Sequence, residues 1–348
     1  MKLALVNFTG VLRLIDNPLI ERALGEFNII NNSYPNQYRI LPYCVTNWEV
    51  PCFKSLSKAK QSFIKDCSLS LKQTLKLYGT NLFIFNNYKE STSLVEKYKP
   101  DVYITKSNIH LPNRGEQVYK SIFKSNYIEV SGAWNSIDLV KLLDTIGASK
   151  PKEIPYNSLS DILASTIIFK KPLYKSFSFI ELPQEEVPLV EDIRDTIFKQ
   201  LSLYRGDCSL NIGKYLSTGV ISPREVLLIL LSKSINEEII SSIYNILRRD
   251  LSSIHILKNK SMFIKESYTP SYESKIKEII SLTSQYSSIN YLLEELITTN
   301  FLSNDDRIEL VKFFKQEEIP LILLKILFEV YLLDYNPFIT DYSIYLNL

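Results

Sequence analysis

Five short apolar runs, Lys2–Asn7, Ile40–Val45, Asn81–Phe85, Asp101–Thr105 and Tyr127–Val130, alternate with helical patterns along the first third of the chain. The intervening patterns are a helix opening at Asp16-Asn17-Pro18, a long amphipathic helix over Lys58–Tyr78 that ends at Gly79, and shorter helices over Leu94–Tyr98 and Gly115–Lys124. A strand that hands over to a helix returns parallel to its predecessor, so this alternation predicts a doubly wound parallel sheet over residues 1–134.

The pattern then changes twice. From Asn135 to Leu189 periodicity is weak and Pro151, Pro155, Pro172, Pro183 and Pro188 recur, which predicts an interdomain connector. Residues 190–348 read as helices throughout, over Val190–Leu203, Pro223–Lys233, Asn236–Lys258, Glu273–Tyr286, Ile289–Asn300, Asp305–Gln316 and Pro320–Leu333. The expected fold is an α/β doubly wound parallel-sheet N-terminal domain followed by an all-α C-terminal domain.

Charge narrows the function classes little. Forty Lys and Arg against 38 Asp and Glu leave +2, so nucleic acid could be recruited only through a local basic patch. Arg248, Arg249, Lys258, Lys260 and Lys265 form one such run, with a solvated helix face as the alternative reading. Cys44, Cys52, Cys67 and Cys208 lack paired metal-ligand spacing, which points to scattered reduced thiols rather than zinc. The longest apolar stretch, Ile319–Leu333, is interrupted by Lys325 and Glu329 and is too short for a membrane span; a soluble, cytoplasmic protein is expected. No Walker or dinucleotide glycine loop follows the first strand, which disfavours another kind of nucleotide-binding module.

Four stretches together resemble one family. In Leu5–Leu24, LVNFTGVLRLIDNPLIERAL, residues Phe8, Leu12, Arg13, Leu14, Asp16, Asn17, Leu19 and Ala23 sit in register with the opening signature of the photolyases and cryptochromes. Ser209–Val226, SLNIGKYLSTGVISPREV, is similar to that family's phosphate-loop segment. Ser287–Ile308 resembles a further family segment, with Leu296, Thr299, Asn304 and Arg307 at matching positions, and Leu332–Asn336 is similar to its L-x-D-x-D motif after an interval one residue shorter.

The resemblance implies FAD held by the helical domain, contact with DNA and light-driven splitting of pyrimidine dimers. It implies a diphosphate resting on Ser209–Gly213, an Arg307–Asp334 pair beside the flavin ring and Asn304 facing the cofactor. Arg249, Asn336 and Asp341 complete the implied cofactor set, and Arg248 with Arg249 would face DNA. The antenna chromophore is left open. Several positions depart from the family pattern. Leu210 and Gly213 replace hydroxyl residues, and Thr340 stands where an Asn near the flavin is expected. Asn245 and Arg248 replace the Glu and Trp that would bind the lesion, which argues against dimer repair. Family members continue past the point matching Leu348, implying a more open flavin pocket. Trp48 and Trp134 both precede the helical domain, so the family's tryptophan relay has no counterpart at matching positions. The competing reading is a non-enzymatic binding or scaffold protein that keeps the fold without the cofactor.

Overall fold

The structure is a computed structural model that describes residues 2–25, 38–50, 52–106, 114–130, 179–183, 185–186, 188, 190–205, 212–233, 236–243, 246, 272–281 and 288–334. Its first part alternates as the sequence predicts: β1 (Lys2–Asn7), α1 (Pro18–Leu24), β2 (Tyr38–Val45), α2 (Lys58–Lys76), β3 (Phe83–Phe85), α3 (Tyr88–Ser91), α4 (Ser93–Tyr98), β4 (Val102–Lys106), α5 (Arg114–Phe123) and β5 (Tyr127–Val130). The strands form one parallel sheet in the order β3-β2-β1-β4-β5.

Both faces of the sheet are covered, which is why its strands read as continuous apolar runs rather than alternating ones. Ala4 and Val6 of β1, and Phe8 just after it, join a core containing α1 and α2 and extending into the helical region. Leu5 faces the other way, with Tyr88, Leu94, Tyr119 and Phe123 of α3, α4 and α5. That second core contains a polar seam. The Asn7 amide nitrogen lies 3.3 Å from the hydroxyls of Tyr88, Tyr103 and Thr105, and Tyr43 and Tyr103 share a hydrogen bond of 2.8 Å. Burial pushes the Tyr43 hydroxyl well above the ordinary tyrosine range.

The helical region comprises α6 (Ile193–Leu203), α7 (Gly213–Thr218), α8 (Pro223–Leu231), a helical stretch at 237–243, α9 (Tyr272–Ile280), α10 (Asn290–Thr299), α11 (Asn304–Gln316) and α12 (Leu321–Tyr331). Among the described residues, no helix is long and apolar enough to cross a membrane. Local chemistry sets several helix starts. Asn17 caps α1 ahead of Pro18, while Ser222 with Glu225 and Ser303 with Asp306 form capping boxes on α8 and α11.

The end of the expected connector is laid on the α/β region. Phe179 bridges Ile40 of β2, Ile180 donates its N–H to the Ile40 carbonyl at 3.0 Å, and Lys72 of α2 pairs with Glu185 at 2.7 Å. The chain thus returns along the sheet edge before entering α6.

Candidate functional site

Two of the matched stretches touch each other. The loop after β1 receives the end of α7: Leu12 donates its N–H to the Thr218 carbonyl at 3.2 Å, and Arg13 donates Nη1 to the Gly219 carbonyl at 3.0 Å. Arg13 also binds the Asp16 carbonyl through Nε and Nη2, at 3.1 and 2.8 Å. Asp16 faces Arg224 at 3.6 Å. Gly219 has φ +74°, and a Cβ there would lie 2.5 Å from the Gly10 oxygen and 2.6 Å from the Val11 Cα. Backbone meets backbone at this point, so the position requires glycine for space and for conformation.

Charges in this seam are buried and arranged around one another. Desolvation pulls the Arg13 pKa down and pushes Asp16 up, each partly opposed by neighbouring opposite charges. On the adjoining helices, Arg194 pairs with Glu225, whose carboxylate also closes the α8 capping box. Arg13, Arg194 and Glu225 are engaged by the chain itself and two backbones touch at Gly219, so the opening motif and the α7–α8 motif act as a joint between regions.

The second place where predicted residues converge is different. Arg307, on the second turn of α11, donates Nε to the Leu302 carbonyl at 3.1 Å and directs Nη2 at both oxygens of Asp334, at 2.7 and 2.8 Å. Its Nη1 makes no hydrogen bond among the described residues. The Arg307 side chain is almost fully covered, whereas Asp334 keeps about a fifth of its side chain exposed. Gly213, at the start of α7, packs under Asp334: a Cβ there would lie 3.1 Å from the Asp334 Cβ and 3.2 Å from its Oδ2. The end of the implied phosphate loop therefore meets the implied flavin-side pair.

Asn304 is the first residue of α11, one turn ahead of Arg307. Ser209, Arg248, Arg249, Asn336 and Asp341 lie outside the described residues, as do Asn245 and Thr340.

The α/β region supplies residues to this corner that no motif match singled out. Trp48 donates its indole N–H to Glu329 Oε1 at 3.1 Å, and Lys60 donates Nζ to the Glu329 carbonyl at 2.6 Å. Ser57 donates its hydroxyl to Asn300 Oδ1 at 2.6 Å and its N–H to the Val330 carbonyl at 3.0 Å. Trp48, which precedes the helical region in sequence, is thus in contact with it in space. The one signal available beforehand was Glu329 itself, a carboxylate inside an otherwise apolar helix.

As chemistry, the Arg307–Asp334 corner offers a fixed cation, a partly exposed acceptor pair and, among the described residues, a guanidinium donor without a hydrogen bond. That combination suits a planar ligand edge carrying carbonyl and N–H groups. The donor set is compatible with a flavin ring edge.

No family model matches the chain, and no curated protein matches it in sequence. Solved structures match its fold. An archaeal photolyase from Sulfolobus tokodaii with two FAD molecules is 17% identical with a TM-score of 0.57, the match covering 98% of this chain and 81% of that one. A Synechocystis cryptochrome is 16% identical with a TM-score of 0.58, covering 97% and 80%. A bacterial class III photolyase from Agrobacterium tumefaciens is 15% identical with a TM-score of 0.53, covering 97% and 77%. The parallel sheet and the helical region after it are those of the photolyase/cryptochrome fold.

Proposed function

We propose that this protein binds FAD in its helical region, with the Arg307–Asp334 corner against the flavin ring, and that it associates with DNA without splitting pyrimidine dimers. The observation that carries the flavin reading is the Arg307 guanidinium held on both oxygens of the partly exposed Asp334, with Nη1 making no hydrogen bond among the described residues. A bound reduced flavin would supply electron transfer on excitation; the protein's part is to seat the ring and set its electrostatics. Arg307 and Asp334 would fix the ring edge, and Asn304 would approach from the same helix. The FAD-bearing photolyase with this fold supports the choice of ligand.

Dimer splitting is left out because Asn245 and Arg248 occupy the positions that resemble the family's lesion-binding Glu and Trp. DNA association rests on the basic run Arg248–Lys265, which can neutralise phosphates without reading sequence.

The deciding measurement is the absorbance of the purified protein, fresh and after incubation with FAD. A flavin spectrum that survives gel filtration is expected; a protein that stays colourless in both states overturns the reading. DNA binding measured across salt should weaken steeply as salt rises.

One observation favours the second reading, a scaffold that has dispensed with the cofactor. Asp334 Oδ2 approaches the Gly213 end of the implied phosphate loop, where a carboxylate repels a diphosphate. That reading predicts the colourless outcome.

A further inference from the structure

Asp334 is placed from across the molecule. It lies three residues beyond α12, and the last carbonyls of a helix need donors from outside it. Two of them are capped by the start of α2: Ser57 donates its N–H to Val330 at 3.0 Å, and Lys60 donates Nζ to Glu329 at 2.6 Å. The next turn is tied to the same place. Leu333 donates its N–H to the Asn300 carbonyl at 3.2 Å, and the Asn300 side chain accepts the Ser57 hydroxyl. Ser217 of α7 then donates to the Leu333 carbonyl at 2.9 Å.

Charge follows the same layout. Lys60 is 5% exposed, and the Glu329 carbonyl is its side chain's hydrogen-bond partner among the described residues. Burial lowers its pKa, opposed by attraction to Glu329 and Asp334. Two buried cations, Lys60 and Arg307, and two carboxylates, the buried Glu329 and the partly exposed Asp334, thus share one corner. A buried ammonium that only capped a helix end would leave most of its desolvation cost uncompensated; nearby carboxylates reduce it.

We propose, building on the flavin reading above, that Lys60 is a positioning residue for the Arg307–Asp334 pair. Its ammonium anchors the end of α12 and balances the charge of the corner, so the α/β region sets where Asp334 stands and how strongly the corner attracts the cofactor. Lys60 acts through Asp334.

The experiment uses the full chain in two arms. In the first, without flavin, urea unfolding of wild type, Lys60→Met, Asp334→Asn and the double variant forms a cycle. The two substitutions should be coupled by about fivefold or more in the folding equilibrium constant. Effects that simply multiply overturn the proposal. The second arm measures FAD affinity for Lys60→Gln, which keeps a donor for the Glu329 carbonyl but removes the charge, and for Lys60→Arg. Lys60→Gln should weaken binding about tenfold, with Lys60→Arg restoring most of it; wild-type affinity in Lys60→Gln overturns the charge role. If the wild-type protein takes up no FAD, the flavin reading fails while the unfolding cycle still decides the part played by Lys60. Should Lys60→Met not fold, the same cycle is run with Lys60→Gln.

Discussion

The Arg13–Gly219 seam and the Arg307–Asp334 corner both lie in stretches that resemble the same family, and they are built on opposite plans. At the seam, a guanidinium is consumed by three backbone carbonyl contacts and two backbones touch with no side chain between them. At the corner, an equally buried guanidinium holds one backbone carbonyl and one carboxylate and leaves Nη1 without a hydrogen bond among the described residues, and it is the carboxylate that keeps about a fifth of its side chain exposed. A match to the same family therefore marks a joint in one case and a candidate binding surface in the other. What separates them is how the guanidinium is used: Arg13 spends Nε, Nη1 and Nη2 on backbone carbonyls, whereas Arg307 is turned to a partly exposed carboxylate.

The sharpest way to break this contrast is Gly219→Val. The added carbons would collide with Gly10 and Val11 at a backbone angle that valine avoids, so a loss of at least ~4 kcal/mol is expected. Urea unfolding and soluble yield measure it; a wild-type midpoint would show that the seam has slack. Arg13→Ala removes a buried cation and leaves Asp16 facing Arg224 alone, an expected cost of roughly 3 kcal/mol in the same assay.

Arg307→Met should cost less, about 1–2 kcal/mol, because Asp334 can turn to water. Its larger effect should fall on FAD, with retention through gel filtration lost while the fold, followed by circular dichroism, is kept. Retained flavin would move the cofactor away from this corner.

The cysteines report on the seam directly. Burial pushes the thiols of Cys44 and Cys67 up to about 12, and Cys67 lies beside Thr218 at the end of α7. In alkylation followed by mass spectrometry, Cys52, which is only partly covered, should react before either of them. In Gly219→Val, Cys67 should lose this protection. The linked pH effect has a defined sign. Between the unperturbed thiol value of 9.0 and about 12, the unfolded chain releases protons that the native state keeps, so these two groups lower stability as pH rises through that window. At the other end of the scale, Leu203 is 77% exposed, and Leu203→Ser should change stability by no more than about 0.5 kcal/mol.

The strand–helix alternation was legible because its signals are local. β1 and β5 span the expected residues, and the α1 cap is written in Asn17-Pro18. The long second helix stops at Lys76, short of Tyr78, and Asn81 and Leu82 stay outside β3, whose pairing reaches only Tyr43–Val45. Strand length was set by the partner, which a single run does not reveal. The tyrosine seam of Tyr43, Tyr88 and Tyr103 went unread because each is an ordinary strand or helix aromatic until the sheet pairs them. Lys60 gave no signal at all, being one lysine of several along an amphipathic helix.

By itself the sequence determined the succession of elements, the caps that start several helices and the resemblance to a fold, since all of these depend on neighbours a few residues apart. Tertiary structure decided which charges meet which polar groups. Arg307 and Asp334 are 27 positions apart, Arg13 and Gly219 are 206, and Lys60 and Glu329 are 269. Periodicity fades within a few turns, whereas hydrogen bonds and Coulomb attraction depend on distance in space, so only the folded chain could place a lysine of the first region behind the acid of the last.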